Sequence, residues 1–503
     1  MEEKVPVIPR YALSALAAAL LLAIVHQYLF FGHKPGVSYP VFVVLFYCFM
    51  LYYAKDQLRP LKWFDYVWLA AIFLLAMTFV LFSSWFFFGL NLLVLPVLIL
   101  LHMTYLLSYR RPSWSGIQLI SAALEHFFAQ GPRHWPTVFT VIRKTGGEGL
   151  KNEHKQVYLK VLAGLLLSCP LLLIVVSLLS SADGVFNQIL NKFPELLERI
   201  SFSEGFGRTL WSVVLGIGLF GYLWGFVAFK RIERQIIVPK EGEPRMDPFE
   251  FTVDPVIATT VLTAVNAVYV LFVSVQFSYL FGAWEGALPQ GSTYADYARS
   301  GFFELIMVTS INFGLLLLSL FALPQAKARL LTVIRTLLYI LVLCSVVMLY
   351  SAYSRLALYE EAYGYTEIRF LVHAFMIFLG LLLILAAVRI SKTDFPLIKW
   401  YVALGLLSYV FMNYIGMDRI IASQNIARYE ASGDIDAPYL SGLSWETVPL
   451  LIDFSEQNND LLKRELSDKW SNRREEAQQE WPSFNVAIYR GQQALQEYMN
   501  RAK

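Results

Sequence analysis

An apolar run that opens at residue 301 carries a carboxylate inside it. The stretch YADYARSGFFELIMVTSINF, residues 294–313, begins with charged Asp296 and Arg299, places Glu304 a turn inside the run and sets Asn312 two turns deeper. An ionised carboxylate at mid-membrane costs about 2.5–3.5 kcal/mol on insertion scales, so such a group faces a partner or a wet cavity. Arg369 and His373 stand four residues apart in a second polar stretch, YGYTEIRFLVH. On a helix that spacing puts both on one face, which makes them candidate partners for Glu304. Asp183, Tyr297, Arg299, Glu367, Asp418 and Arg419 fall at the ends of neighbouring apolar runs, and with Glu304, Asn312, Arg369 and His373 they form an expected polar cleft. Two readings stand: a lock of ion pairs and hydrogen bonds between helix ends, or a ligand or ion site.

Catalytic signatures are weak. The segment EEAYGYTEIRFLVH, residues 360–373, superficially suggests the paired Glu, Arg and His elements of one intramembrane protease family. There the Arg follows the first Glu by five residues, whereas Arg369 follows Glu360 by nine. Lipid-linked-sugar glycosyltransferases need acidic residues in the first outer loop, and the loop GHKPGVS has none. No phosphate-cradling Gly-Lys-Ser/Thr loop, metalloprotease His pair or nucleic-acid module appears. Cys48, Cys169 and Cys344 are far apart without metal spacing and read as small buried hydrophobes. His26 and His102 read as hydrogen-bonded core groups, and Asn91, Asn266 and Asn413 as bonds between helices. Pro96 and Pro170 sit where they can kink helices. No catalytic residue, metal or cofactor is expected, and the reading leans away from an enzyme.

The elements that must position these residues are membrane helices. The chain is 57% hydrophobic and 16% charged, with a mean hydropathy of +0.52, against roughly a quarter charged in soluble domains. A hydrocarbon core about 30 Å thick needs about 20 apolar residues per helix. Eleven runs qualify: about 11–31, 39–54, 65–82, 86–108, 157–182, 208–229, 253–281, 301–323, 330–351, 368–388 and 396–415. The first is longer than a signal-peptide core and is expected to be retained. The fold class is therefore all-α: a polytopic bundle over 1–415, with an inner loop at 109–156, and a small helical extramembrane domain over 416–503.

Charge sets the orientation. With the N-terminus inside, the inner segments hold twenty-four Lys and Arg and the outer loops seven, as the positive-inside rule requires. Eleven spans then leave the tail outside. Two amphipathic helices are expected in the interface: 186–200 on the outer side, with a stripe of Phe186, Leu190, Phe193 and Leu197, and 117–128 on the inner side. The tail, richer in acidic than basic residues, shows helical patterns at about 419–432, 445–478 and 483–501. Ser444 and Pro438 are placed to begin helices.

Four stretches in order, LLSSADGVF (178–186), YADYARSGFFEL (294–305), YGYTEIRF (363–370) and NIARYEASGDIDAPYLSGLSWETVPLL (425–451), resemble a family of bacterial multi-pass membrane proteins catalogued only as a domain of unknown function. The resemblance covers roughly 155–455 and brings no activity, so no catalytic residue comes with it. The last stretch supplies a tail signature of Asn425, Arg428 and Tyr429, expected near Asp418 and Arg419. The reading that results is a non-enzymatic sensor, regulator or partner-binding protein of the bacterial cell membrane. Its partners would be the lipid bilayer and an envelope protein or a small-molecule or lipid ligand, not nucleic acid. The alternative is a transporter or lipid-handling protein using Glu304, Arg369 and His373. An enzyme acting on a lipid-linked substrate comes last.

Overall fold

A computed structural model of the chain describes residues 11–109, 112–147, 202–236, 254–283, 302–322, 328–472 and 480–501. Among these the chain is helical throughout, with no strand. The membrane-type helices are α1 (Ala12–Phe30), α2 (Ser38–Tyr53), α3 (Trp63–Leu81), α4 (Trp85–Leu107), α7 (Phe202–Ile236), α8 (Pro255–Ala283), α9 (Phe302–Ala322), α10 (Ala328–Tyr363), α11 (Glu367–Ser391) and α12 (Leu397–Tyr414). Each coincides with an expected run, while the run at 157–182 lies outside the described residues, as do Pro170 and Cys169. Among the described residues seven helices are long and apolar enough to cross a membrane, or eight if α12 and α13 (Met417–Ser432), bent by 57°, count as one span. The described helices do not confirm the expected eleven: α2 has only 16 residues, and the apolar part of α9, Glu304–Leu320, is about as short. Between α4 and α7 lie α5 (Ile117–Glu125) and α6 (Thr137–Gly147).

The chain forms two compact units. The first comprises Met1–Val80, Asn91–Val238 and Gln479–Phe484. In it α1 packs along α7, where the two backbones approach closely: a Cβ on Gly216 would lie 2.6 Å from the Leu20 side chain. Small residues at membrane helix contacts permit such packing. The expected inner helix runs as α5 and continues in a π-helical turn, His126–Gln130, with Ile117, Ile120, Leu124, Phe127 and Phe128 exposed. His126 stacks on Phe226 at 3.5 Å and donates through Nε2 to the Tyr222 carbonyl at 2.9 Å. His102 is buried and bonded to Tyr47 Oη at 2.8 Å, and Asn91 reaches across to Thr78 at 2.9 Å. Cys48 departs from expectation, being exposed on α2. Residues 480–484 seat on the α1–α2 connection, where the Val37 N–H donates to the Phe484 carbonyl and Trp481 Nε1 to Tyr28 Oη.

The second unit comprises Leu81–Leu90, Pro239–Gln478 and Asn485–Lys503. Here α10 is central, flanked by α8, α9 and α11, and its core includes Leu341, Cys344, Met348, Ala352 and Leu383. The expected bond from Asn266 is present, its Nδ2 donating to the Leu337 carbonyl at 2.8 Å, and Asn312, expected in the polar cleft, donates through Nδ2 to Ser345 Oγ at 3.0 Å. Asn413 Nδ2 donates to the Tyr409 carbonyl of its own helix at 2.9 Å.

The tail folds as α13, α14 (Ala437–Gly442), α15 (Val448–Gln457), α16 (Lys463–Asn472) and α17 (Val486–Arg501). Its core of Leu451, Phe454, Leu462, Leu466, Leu495 and Tyr498 also receives Phe87 from the start of α4. The long helix expected at 445–478 is broken. Asn459 and Asp460 adopt φ of 55° and 57°, and the Ser455 hydroxyl accepts the Leu462 N–H at 3.1 Å. Asn and Asp tolerate the left-handed region and compete with the helix through their side chains. Pro438 does begin a helix, capped by Asp436, but Ser444 makes no cap bond.

Candidate functional site

The candidate site is built on the turn between α10 and α11. Helix α10 ends at Tyr363, and Gly364 takes φ +84° with its N–H on the Glu360 carbonyl at 2.8 Å. This is the left-handed residue that closes many helices. The last carbonyls of a helix have no partner within it, and here two arginines supply one. Arg428 of α13 donates to the Glu361 and Ala362 carbonyls at 3.0 and 2.9 Å. Arg369 of α11 donates to the carbonyls of Tyr363, at 3.2 Å, and Gly364. Cations at a helix C-terminus also meet the negative end of its dipole.

Asn425 completes the clamp. Its Oδ1 accepts the Tyr365 N–H at 3.0 Å, and its Nδ2 donates to the Tyr365 carbonyl at 2.8 Å. A Cβ on Gly364 would stand 2.8 Å from that Oδ1, so the approach requires glycine. The third and fourth sequence stretches are therefore bonded to each other. Tyr429 lies beside them in the tail core, against Phe454.

One turn back from the clamp lies a buried acid–base pair. Glu360 Oε2 is 3.5 Å from His373 Nδ1, with side-chain exposures of 4% and 15%. The Tyr353 ring stacks on His373 at 4.4 Å, and the Arg369 guanidinium sits 4.4 Å from the centre of the Tyr359 ring. Arg369 and His373 thus share a face as the spacing predicts, but Glu360 occupies the place expected of Glu304. Glu304, in the first turn of α9, is exposed. The physical reason is the length of α10: it continues twelve residues past the expected end at 351 and carries Glu360 alongside α11. Asn312 bonds elsewhere, its Nδ2 donating to Ser345 Oγ.

A second set of bonds joins tail to span ends. Asp418 is buried, and its Oδ2 accepts the Ser444 N–H at 3.3 Å. Burial pushes its carboxyl above the ordinary value, while the bonds from Ser444 pull the other way. The Glu367 N–H donates to Tyr439 Oη at 3.0 Å. Glu446 accepts both the Ser83 N–H, at 2.7 Å, and the Ser83 hydroxyl, at 2.6 Å, and Ser83 Oγ accepts the Trp445 N–H at 2.9 Å. Asn485 donates to the Phe82 carbonyl at 2.7 Å. Arg419 is exposed, and Asp183, Tyr297, Arg299 and the 186–200 helix lie outside the described residues. On the tail's own surface an open cleft of about 620 Å³ is lined by Trp445, Arg464, Glu465, Asp468, Lys469 and Asn472 among others. Lys469 is anchored there by the Ser441 and Leu443 carbonyls, both at 2.7 Å.

Glu360, Glu446 and Asn485 were not among the expected site residues. Glu360 stood in a stretch already singled out, and Glu446 inside the fourth, whereas Asn485 had no signal. No group of three or more His, Cys, Asp or Glu among the described residues is placed to hold a metal.

The fold and the long apolar helices define an all-α helical membrane bundle. Residues 69–454 match the family described as Domain of unknown function (DUF4153), most of the chain, and the protein belongs to that family. The match contains all four quoted stretches and begins earlier than the resemblance alone implies, taking in most of α3 and all of α4. No curated protein and no solved structure matches the chain.

Proposed function

We propose that the chain is a multi-pass protein of the bacterial cell membrane that senses or regulates by binding, without catalysis. Its tail, 416–503, serves as an extracytoplasmic domain on a bundle formed by 1–415, with the N-terminus in the cytoplasm. An envelope protein or a small-molecule or lipid ligand engages the tail, and the polar residues at the span ends pass the event to the helices. One observation carries this reading: the tail grips the connections between span helices through backbone hydrogen bonds, at Phe82–Ser83 and at Glu361–Tyr365. Bonds of that kind fix position and transmit displacement, whereas apolar contact alone would let the tail slide. The cleft gives a ligand both charge signs and an aromatic edge beside Trp445, the residue whose N–H holds Ser83.

The full-length protein reconstituted in lipid vesicles tests it. Imposed proton and sodium gradients and a fluorescent lipid confined to one leaflet should decay as in protein-free vesicles. Saturable, protein-dependent flux or scrambling would overturn the reading in favour of a transporter or lipid-handling protein. Turnover of a lipid-linked substrate would overturn it in favour of an enzyme.

A further inference from the structure

We infer that Glu360 and His373 form a proton-binding site at the α10–α11 junction, poised to act on the turn that the tail clamps. The pair is enclosed: Glu360 is 3% exposed, and the Tyr353 ring covers one face of the imidazole. His373 Nδ1 faces the carboxylate at 3.5 Å. Nε2 is buried and makes no hydrogen bond to the described residues. An acid and a base held this close in a low-dielectric setting share protons as a unit, and their affinity belongs to the pair.

The surrounding charges show why proton number matters. Arg369 is the cation acting on Glu360. Other titratable groups on the elements packed here include Tyr353, Arg355, Tyr359, Glu361 and Tyr363 on α10, Glu367 on α11, Tyr365 in the turn and Arg428 on α13. Glu304 on α9 is exposed. With Glu360 ionised and His373 neutral, Glu360 and Arg369 balance. One further proton, on either member of the pair, makes the group of Glu360, His373 and Arg369 more positive by one charge. If His373 takes it, the imidazolium repels Arg369 one helical turn away on the same face. If Glu360 takes it, Arg369 loses its counter-charge. Either way the group that changes its balance is the one holding the Tyr363 and Gly364 carbonyls. Proton uptake is thereby coupled to the turn, with no bond made or broken beyond that of the proton.

This inference does not need the sensor reading, because the pair would bind a proton whatever the tail engages. The test is nitrogen NMR of the full-length protein in lipid nanodiscs with ring-labelled histidine, across about pH 5–8, where histidine charge changes normally fall. His373→Gln identifies the His373 signal among the seven histidines. That signal should titrate or change tautomer within the range, and Glu360→Gln should move its midpoint down by about one pH unit, since a neighbouring anion favours the imidazolium. If Glu360→Gln does not fold, Glu360→Asp lengthens the same contact and should move the midpoint in the same direction. A His373 signal constant across the range overturns the inference, as does a midpoint indifferent to residue 360. Neither result touches the vesicle experiment, so the two failures are separable.

Discussion

Asn425 and Gly364 fit because each supplies what the other position lacks. The glycine leaves the space that a Cβ would fill, and the amide uses that space to bond both backbone groups of Tyr365. Gly433 offers a control: it too is left-handed, at φ 72°, but nothing lies within 4 Å of a Cβ there. Alanine at either site meets the left-handed backbone cost of roughly 1–2 kcal/mol. At Gly364 it also displaces Asn425, at about 1 kcal/mol for each bond lost. Gly364→Ala should therefore lower the thermal midpoint clearly more than Gly433→Ala, and equal losses would refute the fit. Asp418 yields a pH signature. Its folded-state pKa is raised, so the folded protein holds a proton that the unfolded chain has released, and stability falls as pH rises through the ordinary value of about 3.9. Asp418→Asn, which keeps an acceptor for Ser444, removes that dependence. Its thermal midpoint should gain on the native protein as pH rises above about 4, and a difference that does not change with pH would contradict the assignment.

At the scale of elements, the span helices were legible because the hydrocarbon core demands long apolar runs, and α1 through α4 fall within a few residues of their expected bounds. Helix ends were less so. Nothing in hydropathy marks the last twelve residues of α10, whose end is bonded by Arg369 and Arg428, and with them went the identity of the carboxylate facing His373. The break at Asn459–Asp460 was missed because a helical period continues on both sides of it. The site was legible as a set of stretches but not as a set of pairs. Asn425, Arg428, Arg369 and Lys469 bond mainly to backbone carbonyls, and a carbonyl leaves no trace in residue type. This gives an element-scale prediction. Arg428→Ala removes the bonds to Glu361 and Ala362, so amide exchange should accelerate through residues 361–367 while α15 and α17 keep their protection. Acceleration spread evenly over the tail would mean that Arg428 holds the domain together rather than the junction.

At the scale of the molecule, the tail fixes which ends of the second unit's helices share a side. The α10–α11 turn bonds to the tail, whereas the connection from α11 to α12, residues 392–396, lies one span away across the 25 residues of α11. At 1.5 Å per residue a helix of that length exceeds a hydrocarbon core of about 30 Å. Ser432, on the tail, and Asp394, in the far connection, must therefore face opposite compartments if α11 spans. The Lys and Arg excess assigns the Asp394 side to the cytoplasm. The measurement is labelling of single cysteines, Ser432→Cys or Asp394→Cys, with an impermeant maleimide in intact cells, after Cys48, Cys169 and Cys344 are replaced. Position 432 should react in intact cells and position 394 only after permeabilisation. The reverse pattern would keep α11 as a span and overturn the orientation drawn from charge. Labelling of both positions in intact cells would remove α11 from the spans altogether, and with it the partition of polar junction from cytoplasm on which a sensing tail depends.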